Sequence, residues 1–317
     1  MIARAKSIKI NRIILYIVLV LMAAFFLMPI FMLLNTGLKS YQDVSLSTMW
    51  HLPKQIGFDS FIKAWSGSQA EGFRGLSGNF LNSIWLAIPA ALLSAFIGSI
   101  NGYIFSKWKF PGSDVLFALL LFGMFIPYQS ILIPIVRVLQ WLSVYTGPIY
   151  DAIAGLQGPL WIAWLPAWLS QFVPGYGTIG GLIMIHVIYG IPIATLVFRN
   201  YYSGIPTELL EAGMMDGAGL LGIYRSILFP ISMPAFVVVL IWQFTSIWND
   251  FLFGVIVTAN PAVQPVTVAL NNLAGSYIVE WNVQMAGSLI AALPTMLIFI
   301  LLSRYFIRGL MAGSLKG

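Results

Sequence analysis

The 317-residue sequence predicts an all-α, polytopic membrane protein with six transmembrane helices and both termini in the cytoplasm. Three observations carry that prediction. Only 8% of residues are charged, against roughly 25% in an average soluble domain. Hydrophobic residues make up 59% of the chain, and its mean hydropathy is +0.90. The apolar residues are also gathered into long runs separated by basic clusters. A globule of this size could not hide so much apolar surface behind so few charges, so soluble and disordered classes are excluded. The chain has no Cys, which excludes disulfides and thiolate metal sites, and its two His residues form no ligand cluster.

Residues 1–12 form a basic N-terminus with Arg4, Lys6, Lys9 and Arg12. The first span is 13–34, an uncharged run of 22 residues. That exceeds the ~7–15 residues of a signal-peptide apolar core, and no small-x-small cleavage site follows, so an uncleaved helix is expected. The second span is 81–106. The third is 115–136, with Pro127 and Pro134 inside it. The fourth is 179–198. The fifth is 233–257, with one acid, Asp250. The sixth is 284–307, with Pro294 and a late Arg304. Each approaches the ~20 residues that a bilayer core requires. Between them lie an external segment at 35–80, an external insert at about 140–178, a cytoplasmic loop at 200–232 and a cytoplasmic tail at 311–317. The permease core on this reading is 81–310.

Residues 152–173 are also uncharged, but Gly158, Pro159, Pro166, Gln157 and Gln171 interrupt them. Trp161, Trp164 and Trp168 recur on one helical face, and Trp favours the membrane–water boundary. An interfacial or re-entrant helix is expected there. The basic residues agree with six spans: eleven fall on the side of the termini, and Lys39, Lys54, Lys63, Arg74 and Arg137 on the other. The positive-inside rule then puts both termini in the cytoplasm. No basic patch interleaved with aromatics points to nucleic acid.

The cytoplasmic loop carries the most specific pattern. Pro206 suits the first turn of a helix, and Glu208 and Glu211 suit its positive end. Leu209, Leu210, Ala212, Met214 and Met215 give it an apolar surface, and Asp216-Gly217 marks its stop. A second helix is expected from Ala218 to Phe229, ending before Pro230. Two short helices joined by a tight turn make a rigid docking knob. The alternative is an amphipathic loop at the membrane surface, against which the acids weigh.

These residues resemble the EAA loop of binding-protein-dependent ABC importer permeases. Glu211-Ala212-Gly213 precedes Asp216-Gly217-Ala218, and Ile227-Leu228-Phe229-Pro230 follows. Gly213 stands where the pattern has Ala, and Phe229 where it has Leu. Trp248-Asn249-Asp250-Phe251 is similar to a signature of the carbohydrate-uptake subfamily. Arg304 through Leu310, with Ala312-Gly313 and Lys316-Gly317, is similar to the end of the maltose-transporter-type smaller permease. The resemblance covers roughly 81–317 and implies a type I importer permease in a bacterial or archaeal inner membrane. The partners it implies are a second permease, two ATP-binding subunits and an external solute-binding protein. By the same resemblance, Glu208, Leu210, Glu211, Ala212, Gly213, Met214, Met215, Asp216 and Gly217 couple the chain to the ATPase.

No G-x-x-x-x-G-K-[ST] phosphate loop occurs, so no cofactor is expected in this chain; ATP and Mg belong to the partner ATPase. For the pathway, Gln243, Ser246 and Asp250 are expected on one face of the fifth span with Asn249 nearby, beside Trp242 and Trp248. Asp250 bound to backbone groups instead is the structural alternative. Gln264, Asn271 and Asn272 are expected to reach the binding protein, as the subfamily's matching loop does. His186 is expected to make a helix–helix hydrogen bond. A polyol or glycerol-phosphate cargo, or an ion-coupled transporter using Asp250 and His186, are the alternative functions.

Overall fold

The computed structural model describes residues 2–68, 72–156, 165–274 and 279–314. Among them no β-strand forms; an isolated bridge pairs Ser68 with Phe73. Trp161, Trp164, Gln157, Gly158, Pro159, Lys316 and Gly317 lie outside the described residues. Among the described residues, five helices are long and apolar enough to cross a membrane: Ile10–Gly37, Ser77–Lys107, Tyr128–Ala154, Ile179–Ser203 and Trp281–Leu302. The pair Leu220–Ile231 and Met233–Trp248, bent by 77°, passes the same test only when the two are taken together, which would make six.

Two of the expected spans are corrected. The third run makes two helices: α4 (Ser113–Phe122), extended by a 3-10 turn to Phe125, and α5 (Leu132–Ala154) with its lead-in from Tyr128. Pro127 divides them, since it has no N–H to continue the ladder and disfavours helix at the residue before it. Pro134 falls in the first turn of α5, where a missing donor is harmless. Helix α5 then runs 18 residues past Val136, so the first stretch of the external insert is helical and Arg137 lies inside the helix. The described remainder of the insert holds only α6 (Leu165–Ser170), too short to cross a bilayer. The fifth run also breaks: α11 (Met233–Trp248) ends at Asn249, and α12 (Leu252–Val257) begins two residues beyond Asp250.

The chain divides into two compact units. The first comprises Met1–Ser77 and Leu270–Ala292. It contains α1 (Ile2–Gly37), the short helix α2 (Asp59–Ser66) and the start of α14 (Trp281–Ser314). Ala64, Val283 and Ala286 form its small core, with Phe61 and Ile290 packed against them. Asn282 Nδ2 donates to Ser60 Oγ at 2.9 Å, and Lys63 pairs with Glu280 at 2.7 Å.

The second unit comprises Gly78–Ala269 and Leu293–Gly317. Its centre is the contact of α3 (Ser77–Lys107) with α7 (Ile179–Ser203). A Cβ on Gly98 would overlap the Ala194 Cβ, and one on Gly102 would stand 2.7 Å from the Arg199 N. Small residues four apart let two backbones approach, which is how helices gain dispersion contact where lipid removes the hydrophobic incentive. Around this seam lie Tyr103, Phe198, Tyr202, Tyr224 and Phe236, a buried and largely aromatic cluster.

Candidate functional site

The element expected in the cytoplasm begins at α8 (Glu208–Met215), two residues later than Pro206 suggests. Thr207 precedes it, and the Thr207 carbonyl accepts from the Leu210 and Glu211 N–H groups at 2.9 and 3.0 Å. One face turns inward: Leu210 is buried, and so is Gly213. The other faces out, with Glu208, Glu211, Ala212 and Asp216 exposed and Met215 88% exposed. The helix ends in a Schellman closure. Gly217 N–H donates to Met214 O at 2.9 Å, Ala218 N–H donates to Gly213 O at 3.0 Å, and Gly217 has φ +81°. A Cβ at Gly217 would meet nothing within 4 Å, so its backbone conformation alone requires glycine.

The second helical segment starts at Leu220 rather than Ala218 and passes through Pro230 rather than stopping before it. It consists of α9 (Leu220–Ile223), a π-turn at Tyr224–Leu228 and α10 (Phe229–Ile231). The wider π-turn lets Phe229 N–H reach Tyr224 O, so the donor that Pro230 lacks falls where the ladder is already interrupted. Gly213 sits against this segment: a Cβ there would stand 2.9 Å from Ile227 Cδ1. The atom it would meet is the far end of a flexible side chain, so the contact does not by itself require glycine where the resembled pattern has alanine.

A buried hydrogen-bond network joins this element to the membrane helices. Ser99 Oγ on α3 donates to Tyr202 Oη on α7 at 2.6 Å. Tyr202 Oη donates to Ser232 Oγ at 3.1 Å, at the 77° bend, and Tyr224 Oη donates to Ser99 Oγ at 3.1 Å. Tyr201 Oη donates to Ile231 O at 2.6 Å, and Lys107 Nζ to Ile205 O at 2.6 Å. Beside it, Arg199 lies 4.2 Å over the Phe117 ring and 3.8 Å from Asp114. None of these residues stands out in the sequence pattern. The available signal is Ser, Thr and Tyr inside apolar runs, where a hydroxyl needs a partner.

The pathway candidates divide. Gln243 is buried, and its Nε2 donates to Gly190 O at 2.9 Å. Ser246 and Asn249 are exposed, with Asn249 Nδ2 donating to Thr245 O at 2.9 Å. Asp250 lies beyond the end of α11, so the shared helical face expected for it with Gln243 and Ser246 is not formed. Its carboxylate accepts from the Phe253 and Gly254 N–H groups at 3.4 and 3.1 Å, capping the start of α12. Thr267 Oγ1 donates to Asp250 O at 2.5 Å. His186 does not make the expected hydrogen bond: its Nε2 stands 3.5 Å from Asp250 Oδ2, in ion-pair range, and has no hydrogen-bond partner. Trp248 is only 1% exposed, stacked on Phe244 and edge-on to Phe80, whereas Trp242 is 60% exposed. Of the two indoles, Trp242 is the accessible one.

Gln264, expected to present itself outward, is buried, and its Nε2 donates to Thr258 O at 3.1 Å. Its loop is clamped by Asn79, which donates to Pro261 O and Gln264 O at 2.8 Å each, and by Asn82, which donates to Ala262 O at 2.8 Å. Asn271 and Asn272 are exposed on α13 (Val266–Ala274).

Residues 87–311 match the family described as binding-protein-dependent transport system inner membrane component. A probable ABC transporter permease protein of Pyrococcus horikoshii is 41% identical over 313 residues, covering 98% of this chain and 100% of the relative. The xylose/arabinose import permease protein XacI of Haloferax volcanii is 33% identical over 308 residues, covering 96% of this chain and 94% of the relative. In fold, the chain is similar to a chain of a bacterial ABC transporter involved in the import of the acidic polysaccharide alginate. The TM-score is 0.66 at 17% identity, over 95% of this chain and 98% of that one. The chain therefore belongs to the family of inner-membrane permease components of binding-protein-dependent ABC transport systems, multi-pass proteins that work with an ATPase and a binding protein.

Proposed function

We propose that this chain is the membrane permease of a sugar importer and forms half of a translocation pathway with a second, non-identical permease subunit. The import permease of Haloferax volcanii, whose name specifies xylose and arabinose, supports a sugar cargo. The observation that carries the coupling role is the cytoplasmic element: exposed Leu209, Met214 and Met215 with Glu208, Glu211 and Asp216 around them, on a helix closed by Gly217 and tied to α3 and α7. Apolar side chains ringed by acids suit a groove of mixed apolar and basic character on an ATPase subunit. ATP and Mg are held by that subunit, and this chain contributes passage and coupling without an ATPase site of its own. Ser246, Asn249 and Trp242 offer polar and aromatic surface to a sugar, with Gln243 and Asp250 holding the wall behind them. Asn271 and Asn272 are the candidates for contact with the binding protein.

The test is ATP hydrolysis and sugar uptake by the assembled transporter in vesicles. Sugar-loaded binding protein should stimulate hydrolysis, and Glu211→Lys should remove both stimulation and uptake. Uptake by this chain alone that collapses with an ion gradient, or undiminished uptake in Glu211→Lys, would sink the reading.

A further inference from the structure

The chain outside the first span carries a surface that the transport role leaves unused. The uncharged run 13–34 has 22 residues. At ~1.5 Å per residue it covers about 33 Å, close to the ~30 Å of a bilayer's hydrocarbon core. With the N-terminus cytoplasmic, Asn35 and Lys39 stand at the outer edge of that core. The following segment folds back onto these two residues. Asn35 Nδ2 donates to Met49 O and His51 O at 3.0 and 3.1 Å, and Lys39 Nζ to Thr48 O and Met49 O at 2.9 and 3.3 Å. Gly57 N–H donates to Leu38 O at 3.2 Å. Trp50 and the residues beside Gly57 are therefore held at the depth of the span's last turn.

The side chains so placed are large, apolar and uncovered. Leu46 is 90% exposed, Leu52 72%, Ile56 70%, Phe58 63%, Ile62 61% and Trp50 55%. Of the charges in and beside this stretch, Asp43 pairs with Lys54 at 3.0 Å and Lys39 is buried on its two carbonyls, while Asp59 stands exposed at the start of α2. Helix α2 buries Ser60 and Ala64 toward Val283 and Ala286 and presents Ile62 away from them. The patch continues the surface of the first span, whose apolar window is not buried by the chain at all. A solvated loop rarely keeps such a cluster, whereas the headgroup boundary favours Trp and bulky apolar side chains beside polar and charged ones.

We propose that residues 46–62 form an interfacial anchor seated in the outer leaflet of the lipid bilayer, fixing the depth of the first span. The inference is independent of the cargo. The natural absence of cysteine makes a direct test available. Leu46→Cys, Leu52→Cys and Ile56→Cys, each spin-labelled separately, are reconstituted as the assembled transporter in phosphatidylcholine–phosphatidylglycerol vesicles. Collision rates with dissolved oxygen and with a water-soluble nickel chelate are then compared. The anchor predicts oxygen rates above nickel-chelate rates at all positions, unchanged when sugar-loaded binding protein is added. Nickel-chelate rates equal to or above the oxygen rates would make this a solvated loop. Shielding from both reagents would make it a contact with the second permease, and shielding that appears only with the binding protein would make it a docking surface. Each of these three results overturns the proposal, and three independent positions keep the test open if one variant fails to assemble.

Discussion

Gly217 and Gly213 are both glycines of the element proposed for coupling, yet the limits on replacing them differ in kind. At Gly217 the φ of +81° is the whole constraint, because no atom lies within 4 Å of the place a Cβ would occupy. Gly217→Val should cost about 1–2 kcal/mol from the left-handed backbone alone, whereas Asn tolerates that region. Uptake by the assembled transporter should therefore survive Gly217→Asn and fall sharply in Gly217→Val. At Gly213 the constraint is Ile227 Cδ1, the mobile end of a side chain. Gly213→Ala should be close to neutral, the helix-propensity gain of about 1 kcal/mol being offset by a small shift of Ile227. Thermal stability of the purified complex measures it, and a loss of several degrees would contradict the account. Asp43 supplies a pH dependence outside the membrane. Hydrogen bonds from Lys54 and then Ser40 hold its carboxyl below the ordinary value of 3.8, against a smaller desolvation effect. A depressed carboxylate contributes stability above its unfolded pKa and loses it as pH falls through the folded one. Mobility of a spin label at Ser47→Cys should hence rise only below about pH 4. In Asp43→Asn it should be high at every pH.

At the scale of elements, the network of Ser99, Tyr202, Tyr224 and Ser232 ties the segment proposed for coupling to α3 and α7. Removing the Ser99 hydroxyl leaves Tyr202 without its donor and Tyr224 without its acceptor, at a cost of about 1–3 kcal/mol. Ser99→Ala should raise the ATP hydrolysed per sugar imported, because the segment can then move without carrying α3 and α7. Equal loss of hydrolysis and uptake would mean that the network only supports folding. The two helices and the turn of this segment were legible in the sequence, through Glu208, Glu211 and Asp216-Gly217, since propensity and caps act locally. The passage of its second helix through Pro230 was not, because a π-turn depends on packing against neighbouring helices. The third run illustrates the same limit: Pro127 and Pro134 are seven residues apart, and only Pro127 breaks the helix, because Pro134 falls in a first turn.

For the whole molecule, the expectation is that this chain moves nothing by itself. Reconstituted alone, it should show no sugar accumulation with or without an ion gradient, and addition of the ATPase, second permease and binding protein should restore uptake. Accumulation by the single chain would contradict the proposed division of labour. By itself, the sequence determined that the protein crosses a membrane, which side its termini are expected to face and where the motif proposed for coupling lies. Those properties follow from hydropathy summed over long windows, from basic residues counted by side and from a motif contiguous in the chain. Tertiary structure alone decided where the fifth run breaks, that Asp250 caps α12 beside His186, that Gln264 is buried and that Ser99 joins Tyr202 and Tyr224. The Asp250–His186, Ser99–Tyr202 and Ser99–Tyr224 contacts join residues far apart in the chain, and a buried polar group takes whichever partner the fold brings within about 3 Å, a choice that local pattern does not encode.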